Sequence, residues 1–553
     1  MSDWGQVYGN ACTLPWNKKD FTLTSYPDSI DLQIAYIAPT SKEFAMSRRA
    51  TSFHSHFFPV VLSLVVLLTA MGNPLAALKA QSRFPDCDCT ITDVRLNTVQ
   101  PCDVIIGDVL RVRNAQEFRD AIIEANARGG GVTILLDDGT YRVASTSWFP
   151  YLTASNVVIR GASGNRDAVI LEGGGMRDVA PEVEDGLLIA GDRVIIADLT
   201  IREVGNHAIQ NSGHNLVVHN VRVQNTYQQM IKGATERSTI DSGIVQCCLL
   251  EYTAGMGPQY YIGGLDIHKG HGWTVRDNVF LGIQSPSSST AEHAVHFWNN
   301  CANNIVERNL IVNCDRGIGF GLGDSPNTGG IIRNNMIFSN GDAPFADVGI
   351  GLETSPSSRV YNNTIFIRYQ NAIEFRFAGT RLVEVMNNLC NQEIRARDGA
   401  TATVANNVTD AQAAWFVDAM SGDLHLAAAS ARVVDQGMDL TQWVRDDIDR
   451  RARPLGTGYD IGAQEYVLLG LDGERDAESS LHVFPNPTKG EFSVRGLQEH
   501  GDIEVFDARG TLVVRQRSTG GEQRLALPAA RGAYFLVLRD ATGRTVERRI
   551  LCQ

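Results

Sequence analysis

The chain has 553 residues, and its 49 Lys and Arg against 62 Asp and Glu give a net charge of −13 at pH 7. This length is more than one ordinary globular domain needs, but a solenoid can carry several hundred residues as one unit. The acidic balance, without a block of Lys or Arg, excludes general nucleic-acid binding. A polyanionic partner would therefore have to be held by local cations.

The N-terminal region predicts an exported protein. Residues 46–80 place two arginines after Met46, then an apolar core from Phe57 to Ala70, then an end at Ala80. This order is typical of a secretory signal peptide cleaved near Ala80. A single anchor helix is the alternative, although the apolar core is short for a membrane span. Residues 1–45 are interpreted as a doubtful leader, because Met46 fits a true start.

The ten cysteines fall into groups with different expected roles. Three of them lie in the N-terminal segment 81–108 and could form one disulfide in an oxidising compartment: Cys87, Cys89 and Cys102. Five others lie further along the chain and are expected to pack as small apolar residues: Cys247, Cys248, Cys301, Cys314 and Cys390.

A helix is predicted in NAQEFRDAIIEANARGGG, residues 114–131. Helical spacing places Phe118, Ala121, Ile122 and Ala125 on one apolar face, and the glycines end the helix. Such a helix can cover the open end of a solenoid. The following VTILLDDGTYRV reads as the first strand and its turn.

Internal repeats then dominate the sequence, in the segments VHNVRV, VQCCLL, VRDNVF, VERNLI, IRNNMI, VYNNTI and VMNNLC. Their short length, period-two alternation and Val and Ile content indicate strands. Strand-only coils of this length stack as a parallel β-helix, and a buried Asn at one position of each coil can bond along the stack. We align this ladder on Asn220, Cys248, Asn278, Asn309, Asn335, Asn363 and Asn388, with Asp198 one coil earlier.

A second strand lies in each coil, in HAIQN, QMIKG, LDIHK, HAVHF, RGIGF, VGIGL and NAIEF. We align the inward residues as Ile209, Ile231, Ile267, Val295, Ile318, Ile350 and Ile373. Because side chains alternate along a strand, the next residue of each segment points outward. The predicted outward row is Gln210, Lys232, His268, His296, Gly319, Gly351 and Glu374.

The cap helix, the DGTY turn and the Asn ladder together resemble secreted right-handed parallel β-helix proteins of the pectate-lyase-like class. The resemblance covers residues 109–467 and ends in DIDRRARPLGTGYDIGAQEY, which is similar to the closing segment of such proteins. It implies a right-handed solenoid and an activity on polysaccharides. The multiple-Asp calcium pocket of pectate-type enzymes is not visible here, which puts pectate specificity in doubt.

After a linker at residues 468–480, the composition changes. LHVFPNPTKGEFSVRG, IEVFDARGTLVV and GAYFLVLRDATGRTVERRIL predict about seven strands in a small β-sandwich at residues 481–553. This region resembles the C-terminal sorting domain of the type IX (Por) secretion system. The resemblance implies the type IX machinery as a partner and release or attachment at the outer-membrane surface. A carbohydrate-binding sandwich is the alternative. The fold class is thus all-β, and the protein is expected to be a monomer.

The outward row suggests β-elimination on an acidic, uronate-containing polysaccharide. That reaction needs a cation or metal that neutralises the carboxylate, a base for the adjacent proton and an acid for the leaving oxygen. We predict Lys232 or His268 as the base, with Asp266 orienting or charging His268. His296 is predicted as the acid or second base, and Arg316 as the group that neutralises the carboxylate.

Other side chains of the same coils are predicted to bind the polymer: Lys269, His293, Tyr260, Tyr261, Trp298, Glu374 and Arg376. Aromatic rings among them offer flat surfaces for sugars. Small residues in the column two positions before the row are expected to leave a groove: Ala294, Gly317 and Gly349. No metal requirement is fixed, since a transition metal could use Asp266, His268, Glu292, His293 and His296, whereas calcium would prefer oxygen ligands.

Two other functions stay open. A glycoside hydrolase on this scaffold would need paired carboxylates from a set that shows no close Asp cluster: Asp266, Glu292, Asp315, Asp324 and Glu374. A surface adhesin or glycan-binding solenoid would need no chemistry at all. Altering the row of Lys232, His268 and His296 separates these functions, because only a lyase should lose turnover.

Overall fold

The computed structural model describes residues 90–93, 98–101, 104–146, 151–177, 182–235, 238–286, 289–340, 344–466, 482–484, 488, 490–507, 512–527, 532–539 and 545–552. The predicted leader, signal peptide and linker lie outside these residues, as do Cys87, Cys89 and Cys102. Within the described ranges, no helix has both the length and the apolar character to cross a membrane.

Three stacks of parallel strands form the walls of a β-helix of about ten turns. The first wall contains Asp108–Val112, Gly130–Leu136, Ser155–Gly161, Val194–Ala197, Val217–His219, Ile244–Gln246, Thr274–Arg276, Ile305–Glu307, Ile331–Arg333, Arg359–Tyr361, Val383–Met386 and Ala402–Ala405. The second wall contains Gly139–Arg142, Val169–Glu172, Thr200–Val204, Arg222–Thr226, Leu249–Glu251, Val279–Leu281, Leu310–Val312, Met336–Phe338, Thr364–Phe366 and Leu389–Cys390.

The third wall contains Tyr151–Leu152, Leu187–Ile189, Ile209–Asn211, Ile231–Gly233, Leu265–His268, His293–Trp298, Arg316–Phe320, Ile350–Glu353, Asn371–Arg376 and Glu393–Arg397. Its inward side chains meet those of the other walls in one apolar core along the solenoid. Four two-residue strands also form a small parallel sheet at one corner, made of Ile240–Asp241, Gly270–His271, Cys301–Ala302 and Asn327–Thr328. Strands Thr90–Asp93 and Thr98–Pro101 pair antiparallel.

The cap helix forms as predicted, as α1 at Ala115–Arg128. The Asn114 side chain accepts a hydrogen bond from the Glu117 backbone N–H, which caps the N-terminus. Gly129 ends the helix at φ 75°, in the left-handed region that a glycine adopts without steric cost. The predicted apolar face is buried in the solenoid core and consists of Phe118, Ala121, Ile122 and Ala125, and Ala115 joins it there.

The Asn ladder is confirmed over the C-terminal half of the solenoid. Each Asn Nδ2 donates to the Oδ1 of the next ladder residue in the series Asn278, Asn309, Asn335, Asn363, Asn388 and Asn407. Cys248 occupies the preceding rung, and its backbone N–H donates to Asn278. Asn407 was not predicted and closes the series.

The alignment of Asn220 and Asp198 was wrong by one residue. His219 pairs with Gln246, so Asn220 lies opposite Cys247 and not Cys248. Both residues belong to the neighbouring corner column, whose members have positive φ angles: Asp198, Asn220, Cys247, Asp277, Arg308, Asn334, Asn362, Asn387 and Asn406. Asn and Asp tolerate this conformation better than most residues, so two adjacent columns favour Asn and the sequence does not separate them.

The segment from 411 to 466 covers the outer face of the second wall. Its apolar side chains pack on the outward residues of that wall, in a cluster that joins Phe416, Leu424 and Ile461 to Leu310 and Phe338. It contains the antiparallel strands Phe416–Asp418 and Asp423–Leu426. Short 3₁₀ helices lie at Val143–Thr146, Ala413–Trp415 and Ala419–Ser421.

The C-terminal tail is an antiparallel sheet of five strands: His482–Phe484, Glu491–Asp507, Leu512–Ala526, Gly532–Arg539 and Thr545–Cys552. About seven strands in a sandwich were predicted. Phe492, Val494, Val505, Leu536 and Ile550 form its own apolar cluster. The number of strands is smaller because two of them are long, with 17 residues in Glu491–Asp507 and 15 in Leu512–Ala526.

The repeat cysteines divide into two kinds. Four are free and buried, as predicted: Cys248, Cys301, Cys314 and Cys390. Cys247 is disulfide-bonded, so the prediction that it packs only as a small apolar residue was wrong.

Candidate functional site

The outward row of the third wall differs from the predicted row at one coil. Lys232 lies opposite Asp266, and Asp266 lies opposite His296. His268 therefore occupies the next outward column, opposite Trp298. The LDIH strand has two apolar inward residues, Leu265 and Ile267, and a shift of two keeps every side chain on its face. Alternation alone therefore could not decide whether Asp266 or His268 lies opposite Lys232.

The corrected register still brings the central residues together. The Lys232 ammonium forms an ion pair with Oδ2 of Asp266 and lies 3.0 Å from Nε2 of His268. Nε2 of His268 lies 3.7 Å from Oδ1 of Asp266. The Trp298 indole N–H donates to that same Oδ1 at 2.7 Å. We call Lys232, Asp266 and His268 the cation–carboxylate triad.

The accessibility of these side chains decides which can meet a polymer. The Asp266 side chain is 4% accessible, while those of Lys232 and His268 are 11% and 20% accessible. His268 is thus the most open member of the triad. The two carboxylate oxygens of Asp266 accept hydrogen bonds from Lys232 and Trp298, so this buried side chain positions both groups.

Aromatic and imidazole rings stack beside the triad. The His268 ring meets Trp298 edge-on with 4.2 Å between ring centroids. Trp298 stacks on His296 at 5.7 Å, and His296 contacts His293 at 4.4 Å. The row of rings therefore runs from the half-buried His268 into the interior of the wall, where His293 and His296 are buried.

Not all predicted binding residues lie where a polymer could reach them. Tyr260 and Tyr261 are exposed, as polymer contacts should be. His293 and Glu374 are buried, which contradicts their assignment as direct contacts. Glu374 receives hydrogen bonds from Arg397 and Asn371.

The predicted cations outside the triad have their own partners. Lys269 donates to the Thr235 carbonyl at 3.1 Å. Arg316 lies opposite His293 and its Nε donates to Asp347 at 3.0 Å. Arg376 lies four coils from Asp266 and donates to Asp398 and Glu353. These three residues are not gathered at the triad.

The groove predicted at Ala294, Gly317 and Gly349 is also corrected. Ala294 belongs to the apolar core. A Cβ at Gly317 or Gly349 would meet the side chains of Ile337 and Ile365, so these glycines face the interior. The outward small residues are Gly319 and Gly351, which continue the column of Lys232 and Asp266.

The buried charges of the site have shifted pKa values. Burial would raise the pKa of Asp266, but the Lys232 ammonium and the nearby His268 and His296 hold it well below its usual range. Asp266 is therefore an anion at any ordinary pH. Burial lowers the pKa of His296, and burial with the neighbouring His296 and Arg316 lowers the pKa of His293. Both rings are neutral at pH 7.

His207 was missed by the sequence analysis and lies next to the triad. It is buried, and its Nδ1 donates to the Gln229 carbonyl at 2.7 Å. Burial lowers the pKa of His207 to about 4. The segment GNHAIQN was aligned on its inward Ile209, but His207 precedes the strand Ile209–Asn211, so alternation along the strand did not place it.

We expect His207→Asn to make the protein less sensitive to acid. A native pKa of about 4 below an unfolded value of 6.5 means that the unfolded chain binds more protons in this window. The stability that neutral His207 provides is complete above pH 6.5 and falls towards pH 4. Between pH 7.5 and pH 5 the loss is about 2 kcal/mol for this residue.

Urea unfolding at both pH values measures this effect. Asn keeps a donor for the Gln229 carbonyl but cannot take up a proton, so the variant should lose less stability on acidification than the wild type. His271→Gln, on a half-exposed ring, serves as the control. An unchanged difference between the two pH values in His207→Asn would contradict the prediction.

Comparisons with known proteins separate the tail from the solenoid. Residues 482–553 match the family model described as a secretion system C-terminal sorting domain. Residues 252–410 match the model described as periplasmic copper-binding protein (NosD). A comparison with curated protein sequences gave no match.

Solved structures resemble parts of the chain at low identity. The surface component PorZ of the type-IX secretion system of Porphyromonas gingivalis is 19% identical, with a TM-score of 0.14, over 15% of this chain and 12% of that chain. Pectate lyase Pel9A is 15% identical, with a TM-score of 0.40, over 66% of this chain and 98% of its own. PfbA, a surface adhesin of Streptococcus pneumoniae, is 14% identical, with a TM-score of 0.35, over 54% of this chain and 88% of its own.

A lyase and an adhesin both resemble the solenoid at these scores, so the likeness assigns no activity. The tail is more specific, because its match covers all five strands. The chain is a parallel β-helix protein that carries a type IX secretion sorting domain and is exported to the cell surface or the extracellular space.

Proposed function

We propose that this protein cleaves a uronate-containing polysaccharide by β-elimination at the cation–carboxylate triad. The observation that carries the proposal is the contact of a Lys ammonium with both a buried carboxylate and a half-buried imidazole nitrogen. These groups supply the positive charge and the base that elimination requires, and His268, once it has taken the proton, can return it to the leaving oxygen as the C–O bond breaks. They lie on the third wall, whereas the segment from 411 to 466 covers the second.

Lys232 is assigned to the substrate carboxylate. The Lys232 side chain already forms an ion pair with the Asp266 carboxylate, so its position suits the binding of a second carboxylate. An ammonium has three N–H donors, and Asp266 and His268 take two of them. The third can bind a carboxylate, which would acidify the adjacent C–H group by withdrawing electron density.

His268 is assigned as the base. Its Nε2 receives a hydrogen bond from Lys232, so this nitrogen carries the lone pair. When the ammonium turns towards a substrate carboxylate, that lone pair becomes free beside the acidified C–H group. This geometry supports the assignment of His268, one of the two bases that the sequence left open.

The surroundings suit a chain of sugars. Trp298 fixes both Asp266 and the His268 ring, while exposed Tyr260 and Tyr261 offer flat surfaces for sugar rings. Arg316 lies beyond His293 in the same wall and would meet a carboxylate of a further unit. Buried His296 does not touch the polymer in this assignment.

A hydrolase is less well supported by the same site. Hydrolysis of a glycoside needs one carboxyl group that carries a proton. Asp266 is instead buried, ion-paired and kept anionic. A second group would also have to stand across the scissile bond from it.

A polymer panel tests the proposal. Purified protein is mixed with alginate, pectate, glucuronan and glycosaminoglycans, and ultraviolet absorbance of unsaturated uronate is followed. We expect absorbance to rise on one of these polymers. New reducing ends without absorbance would show hydrolysis, and binding without turnover would show an adhesin; either result would overturn the proposal.

A further inference from the structure

We propose that Glu292, His293 and His296 form a binding site for one divalent transition-metal ion, directly behind the Trp298 ring. One ligand atom from each of these three side chains lies within 4.8 Å of the other two. The proposed elimination does not use this cluster. The metal site can therefore be tested independently of the lyase activity.

Unpaired polar atoms carry the argument. Oε2 of Glu292, Nδ1 of His293 and Nδ1 of His296 are all buried, and none has a hydrogen-bond partner among the residues that the structure describes. Oε2 of Glu292 and Nδ1 of His296 lie only 3.6 Å apart. A buried polar atom without a partner costs about 1–3 kcal/mol, so three in one place call for an explanation. One bound cation would satisfy all three.

The orientation of His296 suits a ligand. Its Nε2 lies 3.2 Å from the Gly321 carbonyl oxygen and donates to it. The proton is therefore on Nε2, and Nδ1 presents its lone pair towards Glu292. Metal-bound histidines commonly donate their second nitrogen to a backbone carbonyl, which fixes the ring and its tautomer.

A glycine makes room for the second imidazole. A Cβ at Gly319 would lie 2.7 Å from Nε2 of His293 and 2.8 Å from its Cδ2 and Cε1 atoms. No side chain can therefore stand at position 319 while His293 keeps its place. This glycine lies opposite His296 in the next strand, so the open space belongs to the cluster.

The donor set selects the class of metal. Two imidazole nitrogens and one carboxylate oxygen suit zinc and related first-row ions, whereas calcium prefers oxygen ligands throughout. Metal–nitrogen bonds of about 2.0–2.1 Å place any two ligands at most roughly 4.2 Å apart. Tetrahedral geometry with such bonds places neighbouring ligand atoms roughly 3.4 Å apart. The three ligand atoms lie within 4.8 Å of one another, so small side-chain rotations on binding can bring them to these distances.

Metal titration of the full chain tests the site. The protein is stripped with a chelator and titrated with zinc, and with cobalt, whose visible absorption reports tetrahedral coordination. We expect one zinc ion per chain and a rise in the thermal midpoint. Calcium should produce neither effect.

Variants show whether the ion binds at this cluster. Glu292→Gln is the mildest change, since that side chain is 24% accessible, and His296→Gln removes a buried ligand. Gly319→Ala displaces His293 without removing a ligand. Each of these three substitutions should weaken zinc binding by about 10-fold to 100-fold. His219→Gln is the control, because this buried ring lies in the first wall and contacts Gln246.

The site would be overturned by a stripped wild-type protein that binds neither zinc nor cobalt. It would also be overturned if His219→Gln weakened binding as much as His296→Gln, or if Glu292→Gln bound zinc as tightly as the wild type. Circular dichroism confirms that each variant is folded. The ultraviolet assay on the same samples reports the triad separately.

Discussion

His268→Gln is expected to reduce turnover by about 100-fold to 10,000-fold on the polymer that the wild type cleaves, which is the usual contribution of a general base. Gln can still accept the hydrogen bond from Lys232, so the ion pair of Lys232 with Asp266 should survive. It cannot take up a proton at neutral pH. The loss should therefore lie in kcat, with a much smaller change in KM.

Rates measured over a range of polymer concentrations separate kcat from KM. The matched control is His271→Gln, three residues further along the chain, where the half-exposed ring contacts the Asn300 carbonyl. It should retain wild-type rates. Equal losses in both variants, or full activity in His268→Gln, would remove His268 from the mechanism.

Asn309→Leu is expected to destabilise the solenoid by about 3–5 kcal/mol. The Asn309 side chain accepts from the backbone N–H and Nδ2 of Asn278, and it donates to the carbonyls of Val275 and Glu307 and to Asn335. Leu has similar volume but leaves these buried groups without that partner. Because the entropy of unfolding scales with the number of residues, this loss of stability in a solenoid of this size corresponds to a fall of roughly 5 °C in the thermal midpoint.

Differential scanning calorimetry measures the midpoint. Asn165→Ala is the control, because Asn165 is exposed and its side chain accepts only the Asp167 backbone N–H at 3.1 Å among the contacts described. Its midpoint should change by about 1 °C or less. A midpoint in Asn309→Leu as high as in this control would mean that the ladder does not stabilise the fold.

The coils could be predicted because their physical causes are local. Alternation of apolar residues defines a strand with one buried face, and the helix Ala115–Arg128 carries its own capping signals in Asn114 and Gly129. The ladder was found because a buried Asn needs partners in the neighbouring coils. Its start was misplaced at Asn220, where a positive φ angle also favours Asn.

The site was predicted less completely because it depends on register and on depth. Lys232, Asp266 and His268 were grouped correctly although His268 was placed in the wrong column, since long side chains reach across columns. The burial of His293 and Glu374 follows from packing between coils. Period-two alternation gives the face of a residue but not what the next coil places above it.

The sequence also could not predict that Glu292, His293 and His296 each have a polar atom without a hydrogen-bond partner among the described residues. These residues were visible as candidate ligands, but their convergence depends on the glycine at position 319 and on the carbonyl of Gly321. Both come from the following coil.

Mass analysis of the products from the polymer cleaved fastest tests the central claim most directly. Elimination breaks the glycosidic bond without adding water, so each new non-reducing end should be an unsaturated uronate, lighter by one water molecule than its hydrolysed counterpart. We predict such products from the wild type, and their loss in His268→Gln. Saturated ends of full hydrolytic mass, or an intact polymer, would contradict the account.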